Sequence, residues 1–125
     1  MRVLIADDDP LSRAMVAVPL RAISGVEVVE VGDGTRAWTR LRSESFDAAI
    51  IDWQMPGRNG LDLVKAARAR DPDLPLIMVT AEADRQHVIN AINAGVSDYL
   101  IKPFSPKMLW EKLNKLLQHA TSTKS

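Results

Sequence analysis

The sequence predicts an α/β fold in which a doubly wound, five-stranded parallel sheet is covered by helices on both faces. Five short apolar runs of strand length alternate along the chain with five stretches in which apolar residues recur at helical spacing. This alternation is typical of βαβ units, whose crossovers are right-handed. The segment that begins at Phe46 is almost wholly apolar as far as Ile51, as expected of a strand buried on both faces of a parallel sheet.

The first strand is expected over residues 2–6, and the first helix follows it. Asp9 and Pro10 are a good N-cap and a residue suited to the first helical position. The helix is indicated by apolar residues at helical spacing, namely Leu11, Met15, Val18 and Ala22. We expect a kink at Pro19, because a proline inside a helix removes one backbone donor and costs about 3 kcal/mol unless the helix bends.

The remaining elements repeat the alternation. Strands are expected over residues 26–31, 46–52, 76–80 and 97–101. Helices are expected over residues 35–43, 61–70, 84–94 and 106–119. Inward-facing positions in the second and last helices are Ala37, Leu41, Leu109, Leu113 and Leu116. One domain is therefore expected over 1–120, followed by a polar tail over 121–125 that is flexible or begins a linker.

Composition excludes several classes of function. The chain of 125 residues has no cysteine, which rules out disulfides, thiolate metal sites and a cysteine nucleophile. Sixteen basic residues balance sixteen acidic ones, which argues against nucleic acid or an anionic membrane as a direct partner. No apolar run is long enough to span a bilayer and no signal peptide is evident, so we expect the protein to be cytoplasmic.

Acidic residues follow two strands that are expected to be neighbours. Strand order 2-1-3-4-5, that of flavodoxin-like (αβ)5 folds, is the common arrangement at this size, and it places the first strand beside the third. Asp7 and Asp8 follow the first strand, and Asp52 ends the third before a turn that contains Pro56 and Gly57. Ligands of open α/β sheets bind at this carboxyl edge, so Asp52 is the first candidate for chemistry.

A divalent cation bound between the three carboxylates would offset their mutual repulsion. Without a cation, this repulsion would raise the pKa of at least one of them. Mg²⁺ prefers oxygen ligands, usually takes one or two protein carboxylates and keeps waters that a phosphate can displace. The alternative is that Asp7, Asp8 and Asp9 merely cap the first helix. Asp9 is sufficient for that task, so we interpret Asp9 as the cap and the other two as candidate metal ligands.

Two other strand ends point to the same edge of the sheet. The hydroxyl of Thr80 can bond a phosphoryl oxygen, although a threonine there could also cap the next loop. Lys102 supplies a compact cation suited to neutralising an anionic ligand. We expect the Lys102–Pro103 peptide bond to be cis, which would direct the ammonium inward.

Together these pieces resemble a known family. The sequence contains the pairs Asp7-Asp8 and Thr80-Ala81, the stretch Asp52-Trp-Gln-Met-Pro-Gly-x-x-Gly60 and the triplet Lys102-Pro103-Phe104. This ordered set resembles the receiver domain of two-component response regulators. Residues 52–56 and 94–104 closely resemble the response regulators of chemotaxis. The resemblance covers about residues 1–119. It implies that Asp52 accepts a phosphoryl group from a phosphohistidine on a sensor histidine kinase or a phosphotransfer protein.

The resemblance also implies roles for the surrounding residues. Asp8 and Asp52 would bind Mg²⁺ directly, with the backbone carbonyl of Gln54 as a third ligand and Asp7 acting through water. Lys102 would pair with the phosphate, and Thr80, followed by Ala81, would move towards it.

In the family, that movement opens space for the aromatic side chain at Tyr99 to turn inward. The surface of the fourth helix, fifth strand and fifth helix then changes and controls a downstream effector or an output domain. Such a protein is not an enzyme for a separate substrate, but it catalyses its own phosphorylation and slow dephosphorylation. We expect a monomer or a weak dimer.

Three alternatives remain open from the residues. A flavodoxin-like cofactor binder would want a loop rich in glycine and hydroxyl groups after the first strand, where this chain has three aspartates. A metal-dependent phosphohydrolase would place an aspartyl nucleophile at the end of the first strand. A receiver fold that works by protein contacts alone would not need the complete acidic set.

Trp53 is expected to pack beside the site, and His87 and His119 have no partner spaced for a metal site or a triad.

Overall fold

A computed structural model describes residues 1–81 and 84–124. The strands are β1 (Arg2–Ala6), β2 (Glu27–Val31), β3 (Ala48–Asp52), β4 (Leu76–Thr80) and β5 (Asp98–Ile101). The helices are α1 (Pro10–Arg21), α2 (Gly34–Ser43), α3 (Gly60–Arg70), α4 (Arg85–Ala94) and α5 (Pro106–Lys124). The strands form one parallel sheet in the order β2-β1-β3-β4-β5. The predicted fold class and strand order are confirmed.

The central strands of the sheet are buried on both faces. Every residue of β3 and of β4 is buried, which explains why these strands read as continuous apolar runs. On one face they pack against α2 and α3, through Ala37, Leu41, Leu63 and Val64. On the other face they pack against α1 and α5, through Val16, Leu20, Leu109 and Leu113. The predicted inward positions are confirmed, and Leu116 is partly buried against the second of these clusters.

The apolar stripe that indicated α1 faces solvent. Leu11, Met15 and Val18 are 71%, 49% and 66% exposed, whereas Val16, Ala17 and Leu20 are buried. Both sets recur at helical spacing, so periodicity reveals the helix without showing which of its faces meets the sheet. The helix continues through Pro19 to Arg21, and the kink remains a prediction.

The last helix is longer than predicted. It reaches Lys124 instead of residue 119. The side chain of His119 and the whole of Ser125 lie outside the described residues, and the division into a domain over 1–120 and a tail over 121–125 remains a prediction. Among the helices that the structure describes, none has both the length and the apolar character needed to cross a membrane.

Candidate functional site

The register of β1 against β3 brings the acidic residues together. Ala6 is paired with Ile51, so Asp7, just past the end of β1, lies beside Asp52, the last residue of β3. Asp7, Asp8 and Asp52 each present a carboxylate oxygen, and these oxygens lie within 4.8 Å of one another. Three hard, anionic donors so close together fit the ligand preference of Mg²⁺.

The backbone around Asp7 is held by several hydrogen bonds. The amide of Asp7 donates to the carbonyl of Val31 at 3.2 Å, and Asp7 Oδ1 accepts from the amide of Asp9 at 2.9 Å. Arg13 Nη1 donates to the carbonyl of Asp7 at 2.8 Å. Asp7 is buried while Asp8 is exposed, which leaves Asp8 open to solvent at the rim.

Asp9 is the N-cap of α1, as predicted. Its carboxylate accepts hydrogen bonds from the amides of Leu11 and Ser12 and from the hydroxyl of Ser12 at 2.8 Å. The bond from that hydroxyl is the largest of the effects that lower the pKa of Asp9. The carboxylate is therefore engaged in capping.

A tightly packed loop positions Asp52. The amide of Trp53 donates to the carbonyl of Val79 at 3.0 Å, and the amide of Gly60 donates to the carbonyl of Trp53 at 2.8 Å. A Cβ atom at Gly60 would lie 2.2 Å from the carbonyl oxygen of Asp52. Glycine is needed there because the start of α3 approaches the backbone of the acidic residue so closely.

Burial and charge change the acidity of Asp52. Asp52 is only 8% exposed, and this burial, followed by the negative charge of Asp7, raises the pKa of its carboxyl from 3.8 to about 6. Lys102 acts in the opposite direction through its charge and a hydrogen bond. A second positive charge at the site would stabilise the ionised carboxylate further.

Lys102, which directly follows β5, reaches the acidic cluster. Its Nζ lies 3.5 Å from Asp52 Oδ1, 3.6 Å from Asp7 Oδ2 and 3.4 Å from the hydroxyl of Ser12. Its amide donates to the carbonyl of Thr80 at 2.8 Å, which ties the end of β5 to the end of β4. The Lys102–Pro103 peptide bond is cis.

Most of the predicted site residues at or just after the ends of β3, β4 and β5 line one small cavity of about 130 Å³. It is lined by Asp52, Trp53, Gln54, Thr80, Ala81 and Lys102. Tyr99 is not among the lining residues; it is partly buried on β5 and packs against the apolar cluster on the α2 and α3 face of the sheet. The arrangement can hold a cation beside a carboxylate oxygen and can offer an ammonium and a hydroxyl group to an incoming anion.

Sequence reasoning missed three residues near the site. Ser12 links the Asp9 cap to Lys102, and Arg13 holds the carbonyl of Asp7. His87, in the first turn of α4, contacts the ring of Trp53. The capping pattern from Asp9 to Ser12 was a usable signal for the first of these, whereas the other two contacts depend on how separate elements pack.

Comparison with known proteins gives a consistent result. A model of the response regulator receiver domain matches residues 3–114. The chain is 42% identical over 120 residues to the chemotaxis protein CheY of Pseudomonas aeruginosa, covering 94% of this chain and 97% of that protein. It is 41% identical over 120 residues to a CheY homologue of Campylobacter jejuni, covering 94% and 92%.

Similar structures have been solved. A CheY-like receiver domain protein from Methanospirillum hungatei superposes with a TM-score of 0.91 at 29% identity, covering 98% of this chain and 97% of that one. The receiver domain of a sensor histidine kinase from Pseudomonas aeruginosa superposes with a TM-score of 0.86 at 28% identity, covering 94% and 97%. That second structure has a magnesium ion coordinated in its active-site cleft.

Proposed function

This chain belongs to the response regulator receiver domain family, and on that basis we propose that it is a phosphorylatable signalling receiver whose acceptor is Asp52. The main observation in support of the proposal is the environment of the Asp52 carboxyl group. It lines a small cavity, lies among two other carboxylates within 4.8 Å, and has the Lys102 ammonium 3.5 Å away. Phosphoryl transfer depends mainly on positioning and on charge neutralisation, and this site offers both.

The transfer itself requires little covalent chemistry from the protein. A carboxylate oxygen of Asp52 attacks the phosphorus of a phosphohistidine, a new P–O bond forms, and the P–N bond breaks with its electron pair returning to the imidazole. Lys102 neutralises the phosphoryl oxygens, and the hydroxyl of Thr80 donates to one of them. Hydrolysis of the acyl phosphate by water then returns the free carboxylate, so the chain catalyses both its own phosphorylation and a slow dephosphorylation.

Mg²⁺ is the proposed cofactor. Asp8 and Asp52 would hold it directly, with the backbone carbonyl of Gln54 as a third ligand and Asp7 acting through water. A bound Mg²⁺ ion supplies positive charge that stabilises the oxygens of the transferring group. The oxygen-rich cluster supports this assignment, as does the magnesium ion in the cleft of the related receiver domain.

The proposed phosphodonor is a sensor histidine kinase or a phosphotransfer protein that docks beside the site. Leu11 and Met15 on α1 are exposed, and a cavity of about 310 Å³ lies between Met15, Pro103 and Phe104. Ser12 and Lys102 also line this cavity, so it adjoins the acidic cluster. A partner that covers this apolar surface would bring its phosphohistidine to Asp52.

The proposed output is a change in the surface formed by α4, β5 and α5. Thr80 would move towards the phosphoryl group, and Tyr99 would turn inward. One charged hydrogen bond from Thr80 contributes about 1.5 to 3 kcal/mol, which shifts a two-state equilibrium by a factor of about 10 to 150. Ile89, Ile92 and Ile101 are exposed on these elements and would form part of the surface that a downstream effector or output domain contacts. We expect this signalling to take place in the cytoplasm.

Tryptophan fluorescence tests the proposal. Trp53 lines the cavity, so in a variant that lacks Trp38 and Trp110 its emission should change when Mg²⁺ binds and again when beryllofluoride, a phosphoryl mimic, is added. Asp52→Asn should abolish the response to beryllofluoride. If the unmutated acceptor site gives no response to beryllofluoride at saturating Mg²⁺, the proposal is wrong.

A further inference from the structure

The residue that follows the proposed phosphoacceptor is in contact with α4. The ring centroids of Trp53 and His87 are 4.8 Å apart, and the ring planes are inclined by 56°, a geometry typical of favourable aromatic pairs. Trp53 lines the cavity at Asp52, and His87 belongs to the first turn of α4. The contact therefore joins the site directly to the helix that the proposed output involves.

Asp84 holds the imidazole of His87 from its own helix. Asp84 is the N-cap of α4 and accepts a hydrogen bond from the amide of His87 at 3.0 Å. Its other carboxylate oxygen lies 2.7 Å from His87 Nδ1. The hydrogen bond from the His87 amide is the largest of the effects that lower the pKa of Asp84. His87 is thus fixed to the start of the helix while its ring faces Trp53.

Trp53 cannot easily follow a movement of α4. Its amide is bonded to Val79 in β4, and its carbonyl is bonded to the amide of Gly60 at the start of α3. The first turn of α4 carries His87 and belongs to the surface that the proposed output changes. Any shift of that turn away from β3 must separate the rings of His87 and Trp53.

We propose that the Trp53–His87 contact restrains α4 in its unphosphorylated position and thereby makes the phosphoryl-bound state harder to reach. The inference rests on the proposed function, because it requires an anionic group to bind at Asp52. His87 is then a positioning residue that acts through Trp53. A contact that favours the unliganded arrangement weakens ligand binding by the same factor, so loss of the contact should strengthen the binding of a phosphoryl mimic.

Calorimetric titration with beryllofluoride at saturating Mg²⁺ tests this inference. His87→Ala should bind beryllofluoride about two- to tenfold more tightly than the unmutated protein, a range set by the strength of aromatic pairs. Gln86→Ala is the matched control, because Gln86 is the adjacent exposed residue and its side chain bonds Asn90 at 2.8 Å. That variant should bind as the unmutated protein does. Circular dichroism shows whether each variant is folded.

Two further variants separate the ring contact with Trp53 from the contact between the His87 imidazole and Asp84. His87→Phe keeps a ring against Trp53 and the amide bond to Asp84 but loses the contact between the imidazole and Asp84, and should bind within about twofold of the unmutated protein. In a Trp53→Ala background, His87→Ala should have no additional effect. The inference is overturned if His87→Ala binds beryllofluoride no more tightly than the unmutated protein does. It is also overturned if His87→Ala strengthens binding by the same factor in the Trp53→Ala background. In either case the proposed function stands. If the unmutated protein does not bind beryllofluoride, both fall.

Discussion

The ammonium of Lys102 lies 3.5 Å from Asp52 Oδ1, and the same nitrogen lies 3.6 Å from Asp7 Oδ2. One cation thus offsets the repulsion between two buried carboxylates that come from neighbouring strands. A divalent cation placed in the cluster would add positive charge close to this ammonium. Lys102 is therefore expected to oppose the binding of Mg²⁺ and to favour the binding of an anion.

Lys102→Met tests these opposed effects. The affinity for Mg²⁺ should rise about fivefold or more, because the repulsion of two unit charges in such a cluster is about 1 kcal/mol even in bulk water. The affinity for beryllofluoride should fall at least about tenfold, since its charge-assisted partner is lost. Fluorescence titration measures both. Lys65→Met, a change on the exposed surface of α3, should alter neither, and a lower Mg²⁺ affinity in Lys102→Met would contradict the assignment.

Asp8 and Asp9 are adjacent but have different roles. Asp8→Asn should lower the affinity for Mg²⁺ about tenfold or more, because it removes one of the anionic ligands. Asp9→Asn should leave that affinity within about twofold, since asparagine also caps helices well. The measurement is a Mg²⁺ titration followed by tryptophan fluorescence. Equal losses in the two variants would show that Asp9 belongs to the metal site.

Asp52→Asn should stabilise the protein in the absence of Mg²⁺, and the gain should depend on pH. The pKa of Asp52 is about 6 in the folded protein against 3.8 for the free group, so the folded state binds this proton more tightly than the unfolded state. Stability is consequently lost as pH rises from about 4 through about 6. Asparagine does not ionise, so the gain should be about 1 to 3 kcal/mol at about pH 8 and close to zero below about pH 4.

Urea unfolding at several pH values, with a chelator present, measures this difference. Asp73→Asn is a suitable control, because Asp73 is exposed in the loop between α3 and β4. The free energy of unfolding of Asp73→Asn should change with pH as that of the unmutated protein does. A gain for Asp52→Asn that is constant from acid to alkaline pH would show that burial of the charge is not its cause.

Gly60→Ala should damage both the fold and the site. The new Cβ would lie 2.2 Å from the carbonyl oxygen of Asp52, so the backbone must move, and we expect a loss of about 2 kcal/mol or more together with weaker Mg²⁺ binding. Gly25→Ala provides the comparison, because Gly25 has a φ of +85° but no atom within 4 Å of the new Cβ. That variant should lose about 1 kcal/mol from backbone strain and bind Mg²⁺ normally.

The sequence was most informative about the ends of strands. Asp7, Asp52, Thr80 and Lys102 each follow or end an apolar run, and in a parallel sheet all such ends meet at one edge. Their proximity could therefore be predicted without knowing any side-chain contact. The strand order needed only the usual handedness and topology of βαβ units.

Contacts between side chains of separate elements could not be predicted in this way. The apolar residues Leu11, Met15 and Val18 face solvent, because two faces of α1 carry apolar residues and only packing decides between them. The pairing of His87 with Trp53 likewise depends on where α4 lies relative to the loop after β3. Such positions are set by the packing of the whole domain, which a periodic pattern does not encode.

Covalent phosphorylation is the most direct test of the central claim that Asp52 is an acceptor. The protein is incubated with Mg²⁺ and a small phosphodonor such as phosphoramidate, and the intact mass and the modified peptide are determined by mass spectrometry. The account predicts the addition of a single phosphoryl group, located on Asp52, that depends on Mg²⁺ and is absent from Asp52→Asn. An unmodified protein, or a phosphoryl group that persists in Asp52→Asn, would contradict it.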